Sequence, residues 1–490
     1  QGISQRSLED VKQYDVVTNL NLGQLLPKKI GIKIPFNYSI SEEFKDPKWD
    51  PQYQDVLFDA NNDNAKAARD YTKRRSINFI NVRKERTDTE KKQHIYDIEN
   101  VSVSYAYNDM HHKDYNIEKF IDQNVRASAN YNYGFKPLSI EPLKNSEFLD
   151  KNSFFKFIKD FNINPLPTSI SVNSNIIRSY NQQLSRDLSN DPNFPALPEL
   201  TQRRFLFDWD YNIAYNLTKS LQLTFRASNN YIYDEFEDLE STSLFTNFFR
   251  VGRPNQYHQT LDATYKVPIN KIPLFDFVNA TYSYTADFDW QAASKSYVED
   301  VGNTIQNANT HTISADLDMT KLYKKTGILN LANKRNKNKK NKANKKQSKE
   351  SLPAITNSRA VVVNRNKKNM TSGQKIIQGL VDVVTSVKKI KVAYAENNGT
   401  ILPGYVPEVG FLGRDNYSGG LAPTLGFVFG SQRDIREIAL TNNWLVSRGS
   451  VDSAYYSRNY STTHFNKLDL NADVRPFKDL NIELSANRVF

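Results

Sequence analysis

The sequence predicts an all-β fold, a transmembrane antiparallel β-barrel wall, and three observations carry that reading. First, apolar and polar residues alternate with a period of two. Phe205, Phe207, Trp209, Tyr211, Ile213, Tyr215 and Leu217 take every odd position of one segment, and Leu221, Leu223, Phe225 and Ala227 resume the series after Thr218, Lys219 and Ser220. The even positions are mostly polar, among them Asp208, Asp210, Asn212, Asn216, Thr224, Arg226 and Ser228. Successive strand side chains point to opposite faces, so this stretch is a hairpin with one aromatic apolar face and one wet face. Second, only 39% of the 490 residues are hydrophobic and the mean hydropathy is -0.64, low for several packed cores. A wall with lipid on one side and water on the other needs little buried interior. Third, no apolar run approaches the roughly 18 to 20 residues of a membrane helix.

The same parity test along the chain gives about fourteen strands, separated where alternation stops around polar breaks. The first pair is VVTNLNLGQLL, the turn PKK, and then Ile30, Ile32, Ile34, Phe36, Tyr38 and Ile40. Next come Val101 to Tyr107, Val125 to Phe135, and Ile170 and Val172 running towards Tyr180. Beyond the opening hairpin follow Tyr257 to Val267, Val278 to Trp290, Ile313 to Met319, Ile390 to Tyr394, Leu468 to Val474 and Leu480 to Ala486. On this reading residues 1–322 are strands with their loops, 388–398 is one further strand, and 461–490 is a last hairpin. Phe205, Phe207, Trp209, Tyr211, Tyr215 and Phe225 are expected to face lipid. Asp208, Asp210, Asn212, Arg226, Asp287, Asp289, Asp316 and Asp318 are expected to line the lumen.

The connections fall into two length classes. PKK, TKS, PINKIPL and RPFKD are short, as expected of periplasmic turns, and alternate with long Asn-, Asp- and Lys-rich outer loops. Longer inserts on the periplasmic side fall at about 84–97, 136–167 and 323–387. The second contains EFLDKNSFFKFIKDF, spaced like a short helix. The third ends in QKIIQGLVDVVTSVKKI, where Ile376, Leu380, Val383 and Val387 share one helical face. Such a helix suits the inner leaflet, a docked partner or the barrel rim. On the outer side, 399–460 is expected to be a Gly-rich lid or plug, carrying Gly399, Pro403, Gly404, Tyr405, Gly410 and Gly413 and then the helix-like REIALTNNWLV. Because short turns are periplasmic, the first strand descends and the last climbs, which puts both ends outside. The expectation is a fragment of a larger barrel, since each unpaired edge would leave backbone groups without partners in lipid.

The net charge of +11 is local. Residues 333–350 carry nine Lys or Arg and one Glu, leaving +3 for the rest. No aromatics interleave the tract to stack on bases, so it reads as a solvated loop or an anionic-lipid contact, and nucleic acid is not an expected partner. There is no Cys, hence no thiol chemistry. His111 and His112 between Asp109 and Asp114 have the nearest thing to metal-ligand spacing, but adjacent residues bind one zinc poorly, and a polar outer loop is expected. The Asp pairs two apart could hold Ca²⁺ or do acid–base work, yet every barrel strand needs polar inward residues. No nucleophile elbow, P-loop or dinucleotide fingerprint is present, so no catalytic, cofactor or metal site is expected.

Several segments carry more than periodicity: RRSINFINVRKE at 74–85, RRFLFDWDYNIAYNLTKSLQLTFRAS at 203–228, VPINKIPLFDFVNATYSYTADFDWQA at 267–292, and GTILPGYVPEVGFLG at 399–413 followed by FVFGSQ. They resemble the SprA (Sov) family, the giant outer-membrane translocon of the type IX secretion system, also needed for gliding motility in many Bacteroidota. The resemblance implies a non-enzymatic channel passing folded cargo, including surface adhesins, to the cell surface. It also implies a periplasmic plug protein, a PorV-type shuttle barrel at a lateral opening, and outer-membrane lipid as partners. A nutrient transporter or porin that closes a barrel of its own is the alternative, and a surface enzyme the third.

Overall fold

The fifteen strands among the described residues join one antiparallel sheet. The computed structural model describes residues 9–490 except 52–54, 58–67, 89, 91, 146–157, 159–160, 189–194, 196, 237–243, 297, 329–371, 416–421, 447–458 and 478. The strands are β1 (Glu9–Asn21), β2 (Ile32–Lys33), β3 (Pro35–Pro47), β4 (Asp70–Lys84) and β5 (Val101–Lys113). They continue as β6 (Ile117–Gly134), β7 (Ser169–Ser185), β8 (Leu200–Tyr215), β9 (Leu221–Tyr233) and β10 (Arg253–Val267). The series closes with β11 (Val278–Gln291), β12 (Asn303–Asp318), β13 (Val387–Tyr405), β14 (Ser461–Phe477) and β15 (Leu480–Val489). Each pairs with its neighbour in sequence order, apart from the short β2, which sits on β4 while β1 pairs β3. This up-and-down order is that of a barrel wall. No helix among the described residues is long and apolar enough to cross a membrane.

Register carries two distinct faces around the sheet. Tyr265, Tyr282, Ile313, Tyr394 and Leu468 align in one row across β10 to β14. Ile313 is 53% exposed, so the middle of this apolar face has no cover from the described residues. The other face carries Thr264, Ser283, Thr312, Ala395 and Lys467 in the adjacent row. Towards the outer ends of β1 to β5 the apolar face turns ionic. Tyr14 donates to Glu42, Glu42 pairs with Lys73 at 3.0 Å, and Arg75 with Asp109 at 3.1 Å.

The structure lengthens the predicted strands. β12 begins at Asn303 rather than Ile313, and β13 runs for 19 residues to Tyr405. Gly399, Pro403, Gly404 and Tyr405 therefore belong to a strand and not to the outer insertion, whose boundary moves to residue 406. The cause is that Asn307, Asn309 and His311 of β12 and Glu396, Asn398 and Thr400 of β13 stand where the alternation demands apolar residues, so the pattern fades before the backbone pairing ends. His111 and His112 likewise lie in β5 rather than in a loop. Residues 147–161 are described only at Ile158 and Phe161, and the Lys tract not at all, so those two readings lie outside the described residues.

Two of the aromatics expected to face lipid do not. Phe205 is 1% and Tyr211 7% exposed, each covered by a connecting segment folded back onto the apolar face. Trp209 and Phe225 are half-buried against the same cover as Tyr211, and Tyr215 donates to the carbonyl of Asn164 at 2.7 Å. Phe207 is half-buried and tilts against Tyr231. At the sheet's two sides, every residue of β15 is exposed, and nothing pairs β1 with β15 among the described residues.

Candidate functional site: the polar face and the docked outer loops

Asp208, Asp210, Asn212, Arg226, Asp287, Asp289, Asp316 and Asp318 all fall on the polar face. Asn212, Arg226, Thr260 and Asp287 form one row, and Asp210, Ser228, His258, Asp289 and Gln306 the next. Asp316 lies eight residues along β12 from Ala308, the partner of Asp287, so about 26 Å away at ~3.3 Å per residue. The structure thus gathers Asp210, Asn212, Arg226, Asp287 and Asp289 and leaves Asp316 and Asp318 near the opposite end. Asp316 meets Lys389 at 3.5 Å, and Asp318 caps the helix Met319–Lys325 by accepting from the Lys321 N–H at 3.2 Å.

Within the gathered rows each carboxylate has its own donor. Asn230 donates to Asp208, Asn173 to Asp210 at 3.4 Å, and Thr285 to Asp262 at 2.9 Å. His258 Nδ1 lies 2.6 Å from Asp289, and its Nε2 lies 3.2 Å from Thr260 Oγ1. That line of hydroxyl, imidazole and carboxylate has the order of a nucleophile, a base and its orienting group. Two features work against catalysis there. Thr260 Oγ1 sits 2.6 Å from Asp287, so its proton goes to a carboxylate rather than the imidazole. The backbone N–H groups around it belong to strands paired on both sides, which leaves no backbone donors there for an oxyanion. The same arrangement reads as a hydrated polar groove of about 360 Å³ lined by Asp210, Asn212, Arg226, Ser228, His258 and Thr260.

Metal binding has no better support. His111 and His112 are neighbours on a strand and point to opposite faces. His111 bonds Asp109 at 3.1 Å, while His112 bonds Thr72 at 2.9 Å. Among the described residues no three His, Cys, Asp or Glu groups gather to hold a metal ion.

The most elaborate construction lies on the other face. After Tyr405 the chain turns back onto the apolar side of β8 to β13. Val406 N–H donates to Trp444 O at 2.8 Å and Val446 N–H to Gly404 O at 2.9 Å, which closes the base of the insertion. Phe427, Val428 and Ala439, all 0% exposed, pack with Ile435 against Tyr257, Phe288, Trp290 and Ile305 of the wall. Five consecutive carbonyls are then gripped by wall side chains. Asn307 Nδ2 donates to Phe427 O at 2.8 Å and to Ser431 O at 2.9 Å, and Gln259 Nε2 donates to Val428 O at 3.1 Å. Tyr284 Oη donates to Phe429 O at 2.6 Å and Asn309 Nδ2 to Gly430 O at 2.5 Å. A buried carbonyl without a donor is costly, so these amides are what lets an irregular segment lie flat on a sheet.

Two glycines make the fit possible. Gly430 has φ +87°, and a Cβ there would come within 2.8 Å of Tyr284 Oη and 3.0 Å of Asn309 Cβ. Gly413, at φ +69°, would drive a Cβ to 2.6 Å from the Phe288 ring. Of the residues expected in the insertion, only Gly410 and Gly413 are there.

A second, smaller fastening holds the loop between β9 and β10. Arg178 of β7, 1% exposed, donates to the carbonyls of Leu244 at 3.2 Å, Thr246 at 2.6 Å and Asn247 at 2.5 Å. Its guanidinium lies 4.6 Å from the Phe205 ring centroid and 5.3 Å from that of Phe248. Sequence reasoning missed Arg178, Gln259, Asn307, Asn309 and Gly430. The one signal available was polar residues at positions where parity demands apolar ones.

Both fastenings lie on the apolar side. The described part of the insertion therefore packs on the apolar side of the sheet and leaves the polar face to its own rows.

Residues 1–61 match the SprA_N family, described as motility related/secretion protein. No curated protein matches the chain.

Proposed function

We propose, starting from this chain's membership of the SprA family of motility and secretion proteins, that it forms part of the wall of a protein-conducting channel in the outer membrane. The observation that carries the reading is the division of labour between the faces. Both fastened loops lie on the apolar side, and the described polar face keeps its rows of Asp, Asn, Ser and Thr uncovered. Such a surface holds water and offers few apolar anchors, which suits a conduit through which a large hydrated object slides.

On this reading the cargo is secreted protein, including adhesins for gliding. The partners are a PorV-type shuttle barrel at a lateral opening and a periplasmic plug protein.

The test uses the absence of cysteine. A photoactivatable cross-linker on Ser228→Cys, on the polar face, should capture secreted cargo in cells arrested in export. The same label on Ile313→Cys should not. Cargo captured equally from both positions, or secretion intact when the gene is deleted, would remove the proposal.

A further inference from the structure

The helix Ser372–Val384 stands at the foot of β13, joined to it by two residues. That joint is rigid. Thr385, 3% exposed, returns its N–H and its Oγ1 to the carbonyl of Val381 at 2.8 and 2.7 Å, and Lys388 Nζ donates to Thr385 O at 2.6 Å. Ser386, itself buried, accepts from the Arg475 N–H of β14 at 2.7 Å. The helix is thus held to the wall by its C-terminal end. Ile376, Leu380, Val383 and Val384 nevertheless form one stripe, and they are 64, 61, 62 and 56% exposed. Spacings of three and four residues place them on a single face.

What covers this stripe is decided by its position. β13 starts beside it, and four residues into that strand Ile390 aligns with Leu317 and Leu484 on the apolar face. The stripe is therefore level with the end of the apolar band that the membrane reading puts in lipid. Beside the same strand foot, the helix Met319–Lys325 brings Lys321, Lys324 and Lys325, of which Lys325 pairs with Asp276 at 3.0 Å and Lys321 lies 3.9 Å from Asp318. Apolar residues at the edge of a hydrocarbon band with lysines around them form the arrangement of an interfacial helix, in which the apolar side sinks into the acyl boundary and the ammonium groups reach the phosphates.

We propose that the helix Ser372–Val384 lies on the phospholipid surface at the periplasmic rim, with Ile376, Leu380, Val383 and Val384 immersed, and so fixes the depth of the wall in the bilayer. This rests on the membrane reading of the preceding section, and the experiment separates the two. In the full chain reconstituted in lipid nanodiscs, an environment-sensitive NBD label is placed singly on Leu380→Cys, on Val383→Cys, on Asp382→Cys at the opposite side of the helix, and on Ile313→Cys in the middle of the apolar face. Labels at 380, 383 and 313 should emit to the blue and be quenched by doxyl-bearing phospholipid at least about twofold more than the label at 382. Quenching at 313 without quenching at 380 and 383 overturns the helix proposal alone. No quenching at any of the three overturns both readings. A blue emission at 380 and 383 that doxyl lipid does not quench means a protein covers the stripe, and this too overturns the proposal.

Discussion

Asn307→Ala removes both N–H donors from the carbonyls of Phe427 and Ser431, and with them the acceptor for Gln432 Nε2 at 3.2 Å. Asn307 is 4% exposed and Phe427 0%, so water does not replace the lost donors without opening the contact. Each stranded carbonyl costs about 1–3 kcal/mol, hence about 2–6 kcal/mol for the pair. At about 1.4 kcal/mol per factor of ten, even the lower figure raises the undocked population about 30-fold. Hydrogen exchange in nanodiscs reads this directly, because the amides of Val428, Phe429, Gly430 and Ser431 are bonded within the docked turn. They should exchange about 30-fold faster or more in the variant. Thr310→Ala, three residues further along β12 on the polar face and bonded to Asn397, should leave them unchanged. Unaltered exchange at 428–431 in Asn307→Ala would refute the idea that the carbonyl grip holds the insertion.

Gly430→Ala should act on the same contact by strain, costing about 1–3 kcal/mol and exposing the insertion to limited proteolysis while the sheet persists by circular dichroism. Arg178→Met keeps the stem but strips three carbonyls of a charged donor, each such bond contributing about 1.5–3 kcal/mol; the 244–250 loop should become the first site of protease nicking. Ile313→Arg should destabilise the wall in urea titrations from lipid vesicles by about 2–4 kcal/mol, whereas Ser314→Arg on the polar face should not. Asp434 accepts two hydrogen bonds from the Arg436 guanidinium, which hold its carboxyl below the usual carboxylate range. A lowered folded value means the contribution is present above the unfolded pKa of about 3.9 and is lost as the pH falls through the folded one. Arg436→Gln should therefore flatten the acid limb of insertion stability, followed by the same exchange measurement between about pH 5 and 3.

The parity of β8 and β9 was enough to reveal a two-faced sheet, because side-chain direction in a strand follows from covalent geometry alone. It also put Asp208, Asp210, Asp287, Asp289, Asp316 and Asp318 on one face. It failed at Phe205 and Tyr211, where alternation identified the right face but could not say what covers it. Aromatic side chains look the same against lipid as against Leu244 or Phe411. The length of β13 was hidden for a related reason. Gly399 and Thr400 read as the start of a loop until their pairing with Ala308 and Asn307 on one side and Thr463 and Thr462 on the other is seen. The docking residues were the least legible. Asn307 and Asn309 bind backbone carbonyls about 120 residues further along, and a carbonyl leaves no trace in the sequence that carries it.

That last property bears on how such a surface can change over generations. The wall fastens the insertion through main-chain oxygens, so the fastening depends on backbone path and not on the identity of the residues presented. Gly430 and the inward Phe427 and Val428 are held to their types, while Phe429 and Ser431 keep their anchoring carbonyls whatever side chain they carry. The side chains at those two positions can therefore be exchanged, one at a time, with the moorings intact.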